Sequence, residues 1–249
     1  MCYHTAVAAT YSQLEERYQK PFQGDLFPSF NNKQDIVAHH VNAFTWPHLP
    51  VISMEDKEHI NSYQWGLIPS WVNNQEQANL LRNQTFNAKM ETVFEKPSFK
   101  HSIAYQRCLI PATGFFEWQT KSAQSKQPHY IYLPNYAIFS FAAIYAIWLN
   151  PINNKTYRTF SILTTKANSL MENIHNSKQR MPCILKPEYE MNWLDENLVQ
   201  AEIESLLVPI EAKEMEAYPI SHLITQKGKS SNVPEVIRPI PKPFGDLFS

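Results

Sequence analysis

A cysteine stands directly behind the initiator methionine in MCYHTAVAAT. Once Met1 is removed, Cys2 carries a thiol and a free α-amine on adjacent carbons, a pair that no internal residue offers. Such a terminus has two chemical uses. The thiol can serve as an amidohydrolase nucleophile, with its own amine as base. Alternatively, amine and thiol together capture an aldehyde, first as a Schiff base and then as a five-membered thiazolidine. An α-amine with a pKa of about 7.7–8.0 is partly neutral at physiological pH, whereas an ordinary lysine is almost wholly protonated. The bland alternative is a buried, inert cysteine, the common fate of a free thiol.

Three further stretches hold residues suited to proton transfer. In TFNAKMET, Asn87, Lys89 and Glu91 sit where a strand or loop feeds a helix; Asn87 as helix cap with Glu91 in the first turn is the ordinary reading. In PATGFFEWQ, strand alternation puts Phe116 and Trp118 on one face and Phe115 with Glu117 on the other. Glu117 is then either an exposed edge carboxylate or a partly buried one, with a pKa raised toward the range useful for proton transfer. In MENIHNSKQRMPCIL, His175 follows a short helix and precedes a strand. A lone histidine is more often structural, but its titration range suits acid–base chemistry if it lines a pocket.

The elements that must position these residues are mostly strands. SYQWGLIPSW, RCLIPATGFFEW, HYIYLP, AIFSFAAIYAIWL and TYRTFSILTT are apolar runs bounded by turn residues, with TKSAQSKQP as a polar hairpin loop. FNAKMETVFEKPSF reads as helical up to Pro97. ANSLMENIH reads as a short helix capped by Asn168 or Ser169, and KPEYEMNWL and LVQAEIESLL as surface helices. The expected fold class is α+β (mixed α/β): one domain with a curved, largely antiparallel, barrel-like sheet flanked by short helices. That domain is expected over residues 1–239, with a Pro-rich tail at 240–249. The repeated GDLF at 24–27 and 245–248 is too short to count as an internal repeat.

Composition narrows the function. The 249 residues carry a net charge of -1, so any DNA contact needs a local basic patch on a neutral body. Only five glycines occur and none cluster, which argues against a Gly-rich phosphate loop. Three scattered cysteines suggest neither a disulfide framework nor a zinc site, so no metal and no cofactor are expected. No apolar run is long enough to span a membrane, and a cytoplasmic, nucleoid-associated protein is expected.

Taken together, the N-terminal Met-Cys, WGLIPSW, NAKMET, PATGFFEW, ILTTKAN and IHNSKQRMPCIL resemble the SOS-response-associated peptidase (SRAP) family, from Cys2 to about Pro239. The resemblance implies covalent shielding of abasic sites in single-stranded DNA through a thiazolidine on the mature N-terminal cysteine. It makes Cys2 the crosslinking residue, Asn87 the residue orienting nucleophile and sugar, and Glu117 the proton shuttle. His175 assists sugar ring opening and crosslink reversal, and Thr164 takes the place of an active-site threonine. Lys89 and Arg180 are then candidate phosphate contacts, and Trp46, Pro47 and Trp65 a wedge or stacking platform for bases. Tyr3 and His4 stand where many members have Gly and Arg, which leaves His4 as the residue at a DNA-contacting position. Lys89 replaces an arginine, keeping the charge without the bidentate fork. The expected partner is single-stranded DNA with abasic sites, met by a monomer. A peptidase or amidase using Cys2, and a non-covalent single-strand-binding module, are the competing readings.

Overall fold

A computed structural model describes residues 2–23 and 37–241. Met1, both GDLF stretches and all but the first two residues of the expected tail lie outside the described residues. In chain order the strands are β1 (His4–Ala8), β2 (Val37–Asn42), β3 (His48–Ser53), β4 (Asn61–Trp65), β5 (Asn87–Lys89), β6 (Arg107–Ala112), β7 (Gly114–Ser122), β8 (Ser125–Tyr132), β9 (Phe139–Leu149), β10 (Thr156–Lys166), β11 (Arg180–Pro182), β12 (Ile184–Leu185) and β13 (Glu216–Pro219). The helices are α1 (Tyr11–Tyr18), α2 (Gln75–Arg82), α3 (Lys100–Tyr105), α4 (Ser169–Ile174), α5 (Pro187–Trp193) and α6 (Gln200–Leu206).

Five strands close into a barrel. β4 pairs β3, β3 pairs β6, β6 pairs β9 and β9 pairs β10, all antiparallel, and β10 returns to β4 in parallel. Closure removes the exposed edges that an open sheet would leave. β9 is a nearly unbroken apolar run, FSFAAIYAIWL, because it is buried on both faces. A second sheet, in the order β13-β8-β7-β1-β2, packs against the barrel. Its β7 alternates as the sequence implies. Phe115 joins the main core, while Phe116 packs with Ala6, Tyr130 and Ile220 on the outer face. Gly114 permits that packing, since a Cβ there would lie 2.3 Å from the Tyr130 ring. The α+β, barrel-like expectation therefore holds.

The outer helices are tied down by satisfied polar groups. Arg107 is fully buried, yet its guanidinium donates to the carbonyls of Ile103, Ala104, Trp193 and Asp195. A buried cation so paired avoids much of the desolvation cost of an isolated one. α4 begins where expected, with Asn168 Oδ1 accepting from the Met171 amide at 3.0 Å.

Three segments differ from the sequence reading. NAKMET is no helix: Asn87–Lys89 runs as β5, parallel to β10 with Asn87 opposite Ile162, and a 3-10 turn follows at Met90–Thr92. The free rim of β10 beyond β4 supplies the backbone partners, which local propensity does not register. The polar hairpin is strand almost throughout, with β7 and β8 paired out to Ser122 and Ser125. α1, absent from the expected elements, carries a T-x-x-Q capping box, Thr10 and Gln13 each bonding the other's backbone amide at 3.2 and 2.8 Å.

Candidate active site

Cys2 is held by an interior strand. β1 lies between β2 and β7, Thr5 Oγ1 donates to the Gly114 carbonyl at 2.9 Å, and the Ala43 amide donates to the Tyr3 carbonyl at 2.9 Å. The residue is fully buried, and its Sγ lies 3.7 Å from the His4 carbonyl. Asn87 Nδ2 donates to the Cys2 carbonyl at 2.9 Å, so β5 fixes the terminal strand from the barrel side. Asn87 Oδ1 is buried without a hydrogen-bond partner among the described residues. A buried amide oxygen left open in this way is ready to accept from an incoming hydroxyl or amine.

Glu117 and His175 converge from the other side. Glu117 follows Phe115 on the inner face of β7 and is 5% exposed. Burial raises its carboxyl pKa to about 7, so near neutrality it is poised to give or take a proton. His175, the C-cap of α4, is 5% exposed. Its Nδ1 lies 2.7 Å from the Arg180 carbonyl and 3.8 Å from Glu117 Oε1. A carbonyl only accepts, so Nδ1 carries the proton and Nε2 the lone pair. Burial lowers the His175 pKa to about 4, so the ring is neutral at pH 7 and its contact with Glu117 is not an ion pair. Burial, with the charge of Glu117 adding to it, pushes the Cys2 thiol well above its usual range. The thiol is therefore protonated at rest, and it must hand its proton to a neighbour as it reacts.

The remaining expected residues divide. His4 joins Glu117 and His175 in lining a cleft of about 340 Å³, with Tyr3, Lys126 and Lys178 at its margins. Asn87 and Lys89 line a second cavity of about 230 Å³ with Tyr3, Phe86 and Lys96. Tyr3 borders both cavities, so the Cys2 strand runs between them. Trp46, at a left-handed φ of 51°, and Pro47 are half-buried. The Trp46 indole donates to Asn83 Oδ1 at 3.0 Å and lies under the Arg82 guanidinium at 4.2 Å.

Trp65 is a correction. It is 0% exposed, donates its indole N–H to the Phe86 carbonyl and stacks on Phe160, so it is a core residue and no base can reach its ring. Arg180 is already engaged, with Nη1 2.5 Å from Glu91 Oε1 and Nη2 2.5 Å from the Thr164 carbonyl. Thr164 is fully buried opposite Lys89; its hydroxyl donates to the Ala88 carbonyl and accepts from Arg180. It braces β5 and the Arg180 turn. Lys126 and Lys178 were not singled out from the sequence. Lys178 lies three residues past His175 in a turn that folds back on it, a spacing that could have flagged it; Lys126 enters only through pairing of β7 with β8.

Among the described residues no helix is long and apolar enough to cross a membrane, and no group of three or more His, Cys, Asp or Glu is arranged to hold a metal ion. A protein named abasic site processing protein YoqW, from Bacillus subtilis, is 37% identical over 216 residues, covering 86% of this chain and 88% of its own. The abasic site processing protein HMCES of Rattus norvegicus is 29% identical over 204 residues, 71% of this chain, which spans only 55% of that longer protein. A crystal structure of a Bacteroides thetaiotaomicron protein superposes with a TM-score of 0.88 at 40% identity, over 96% of this chain and all of that one. The family model described as SOS response associated peptidase (SRAP) matches residues 1–227, and the chain, with its Cys2, Asn87, Glu117 and His175 gathered at one seam between sheet and barrel, belongs to that family.

Proposed function

We propose that the protein, once freed of Met1, captures abasic sites in single-stranded DNA by forming a thiazolidine between Cys2 and the ring-opened sugar aldehyde. The observation that carries this reading is the enclosure of Cys2 among Asn87, a carboxyl with a pKa near 7 and a neutral imidazole. The names of the relatives, abasic site processing proteins, point the same way.

The chemistry needs several proton movements, and the site has a group for each. His175, neutral with its Nε2 lone pair, takes the proton of the sugar's hemiacetal hydroxyl as the ring C–O bond breaks and returns it to the former ring oxygen, which becomes a hydroxyl. The α-amine adds to the aldehyde carbon, and Glu117 in its acid form protonates the departing hydroxyl so that water leaves. The Cys2 thiol then gives its proton to the Glu117 carboxylate as sulfur attacks the imine carbon. Asn87 steadies the Cys2 carbonyl and offers Oδ1 to the sugar. The exposed Lys89, Lys96, Lys126 and Lys178 along the two cavities supply a local positive margin for a phosphate backbone on a chain of net charge -1.

The test mixes protein of verified mass, lacking Met1, with a single-stranded oligonucleotide bearing one abasic site. A heat-resistant band on a denaturing gel is expected, with a mass equal to protein plus DNA minus one water. Cys2→Ala should abolish it. Full crosslinking by Cys2→Ala refutes the role of Cys2. Salt-sensitive binding without an adduct would mark a non-covalent module, and turnover of a peptide substrate without adducts a peptidase.

A further inference from the structure

A row of hydrogen-bonding side chains leads away from the cleft that His4 lines. His4 Nδ1 is 2.8 Å from His40 Nε2, and His40 Nδ1 is 2.6 Å from Ser231 Oγ. The two imidazoles lie nearly parallel, 15° apart with centroids 5.0 Å from each other, as an N–H···N bond between ring edges allows. Phe116 and Trp118 wall the row edge-on, and the Asn232 side chain accepts from the His40 backbone amide. His4 lines the cleft and has given Nδ1 to His40, which leaves Nε2 as the nitrogen open to it. Ser231, half-buried between exposed Ser230 and Asn232, reaches the surface.

We propose that Ser231–His40–His4 is a proton relay between the cleft and solvent, with His4 a further acid–base group of the capture reaction. The inference rests on the thiazolidine reading given above. Capture that begins from the ammonium form of the terminus does not conserve protons within the site. An ammonium, a thiol and an aldehyde give a thiazolidine, one water and one H⁺; the C–N and C–S bonds form as the C=O bond is lost. Glu117 and His175 can pass protons among the reactants, but the surplus proton must leave a site whose reacting groups, Cys2, Glu117 and His175, are all at most 5% exposed. His4 Nε2 accepts it, the Nδ1 proton of His4 shifts to His40 Nε2, and the Nδ1 proton of His40 shifts to Ser231 Oγ. The serine hydrogen passes to water. A row that begins with both imidazoles neutral can carry this shift, and burial lowers the pKa of His4 to about 3 and of His40 to about 4. The charged or titratable groups facing the cleft end are Tyr3 beside β1, Glu117 on β7, Lys126 on β8, and His175 and Lys178 beyond α4.

The experiment measures adduct formation by Met1-free wild type, His40→Leu and Ser231→Ala at two pH values. At about pH 6.5, where the amine starts protonated, His40→Leu should be slowed about tenfold and Ser231→Ala about threefold, short of the 10²–10⁴ expected for removing a general acid or base outright. At about pH 9, where the amine starts neutral, both should fall within roughly twofold of wild type. Added imidazole should restore the rate of His40→Leu at the lower pH, which it cannot do for a packing defect. Equal slowing at both pH values, or none at the lower one, overturns the relay. A wild type that forms no adduct refutes the capture reading itself. The row is then judged by ¹⁵N NMR of the imidazoles: a relay requires that Ser231→Ala shift the nitrogens of both His40 and His4, and an unchanged His4 overturns it.

Discussion

Replacing Glu117 by glutamine should stabilise the protein while disabling it, and pH should control how large the stabilisation is. The carboxyl has its pKa raised from 4.5 to about 7, chiefly by burial. Its folded-state pKa therefore lies above its unfolded value. Between about pH 4.5 and 7 the folded state binds a proton that the unfolded state has released, so this group makes stability fall as pH rises through that window. A shift of about 2.5 units corresponds to roughly 3 kcal/mol, at about 1.4 kcal/mol per unit. His4, His40 and His175 are lowered below 6.5 and slope the opposite way, so wild-type stability alone does not isolate the effect. Both proteins retain those histidines, and the difference between the two curves does isolate it. Urea unfolding of wild type and Glu117→Gln, run from pH 4.5 to 8, should show the variant gaining about 3 kcal/mol over wild type across the range, on the order of 10 °C in melting temperature. Adduct formation should fall by roughly 10²–10⁴ in the same variant. Parallel stability curves over that range would refute the claim that Glu117 is held partly protonated by its burial.

Three further substitutions probe what grips DNA and what holds the sheet. Lys89 is exposed on the cavity beside Asn87, so Lys89→Ala should weaken single-strand binding and reduce the salt slope by about 0.7, the value of one phosphate contact. Arg180→Ala should leave that slope unchanged and lower stability by about 1–2 kcal/mol, because both its Nη atoms are bonded to Glu91 and Thr164; a slope change would place it on the DNA. Gly114→Ala should cost about 1–3 kcal/mol in urea unfolding, since the new methyl displaces the Tyr130 ring, whose hydroxyl bonds the Thr113 carbonyl at 3.0 Å. A cost below about 0.5 kcal/mol would contradict the close packing of β7 on β8.

Much of the site could be picked out from residue type before any fold was known. Cys2, Glu117 and His175 are unusual for their positions: a thiol at residue 2, a carboxylate within FFEW, and an imidazole between a helix and a strand. Local pattern also found the long strands and narrowed the α4 cap to Asn168 or Ser169, because periodicity and capping act over a few residues. The same reasoning misjudged NAKMET and Trp65. Asn87 looks like a helix cap until β10 offers its rim, and Trp65 looks like a platform until the barrel closes around it. Arg180 likewise looks like a free cation until Glu91, 89 positions away, neutralises it.

The sequence by itself determined which functional groups exist and which side of each strand they occupy, since alternation along β7 alone separates Glu117 from Trp118. Only the tertiary structure decided what those groups are. Residues 2, 87, 117 and 175 meet because β1 inserts between β2 and β7 while β5 follows β10. The proton affinities that suit them to chemistry arise from that enclosure: loss of water raises the carboxyl and lowers the imidazole. Desolvation is set by everything packed around a group, and no stretch of neighbouring residues encodes it.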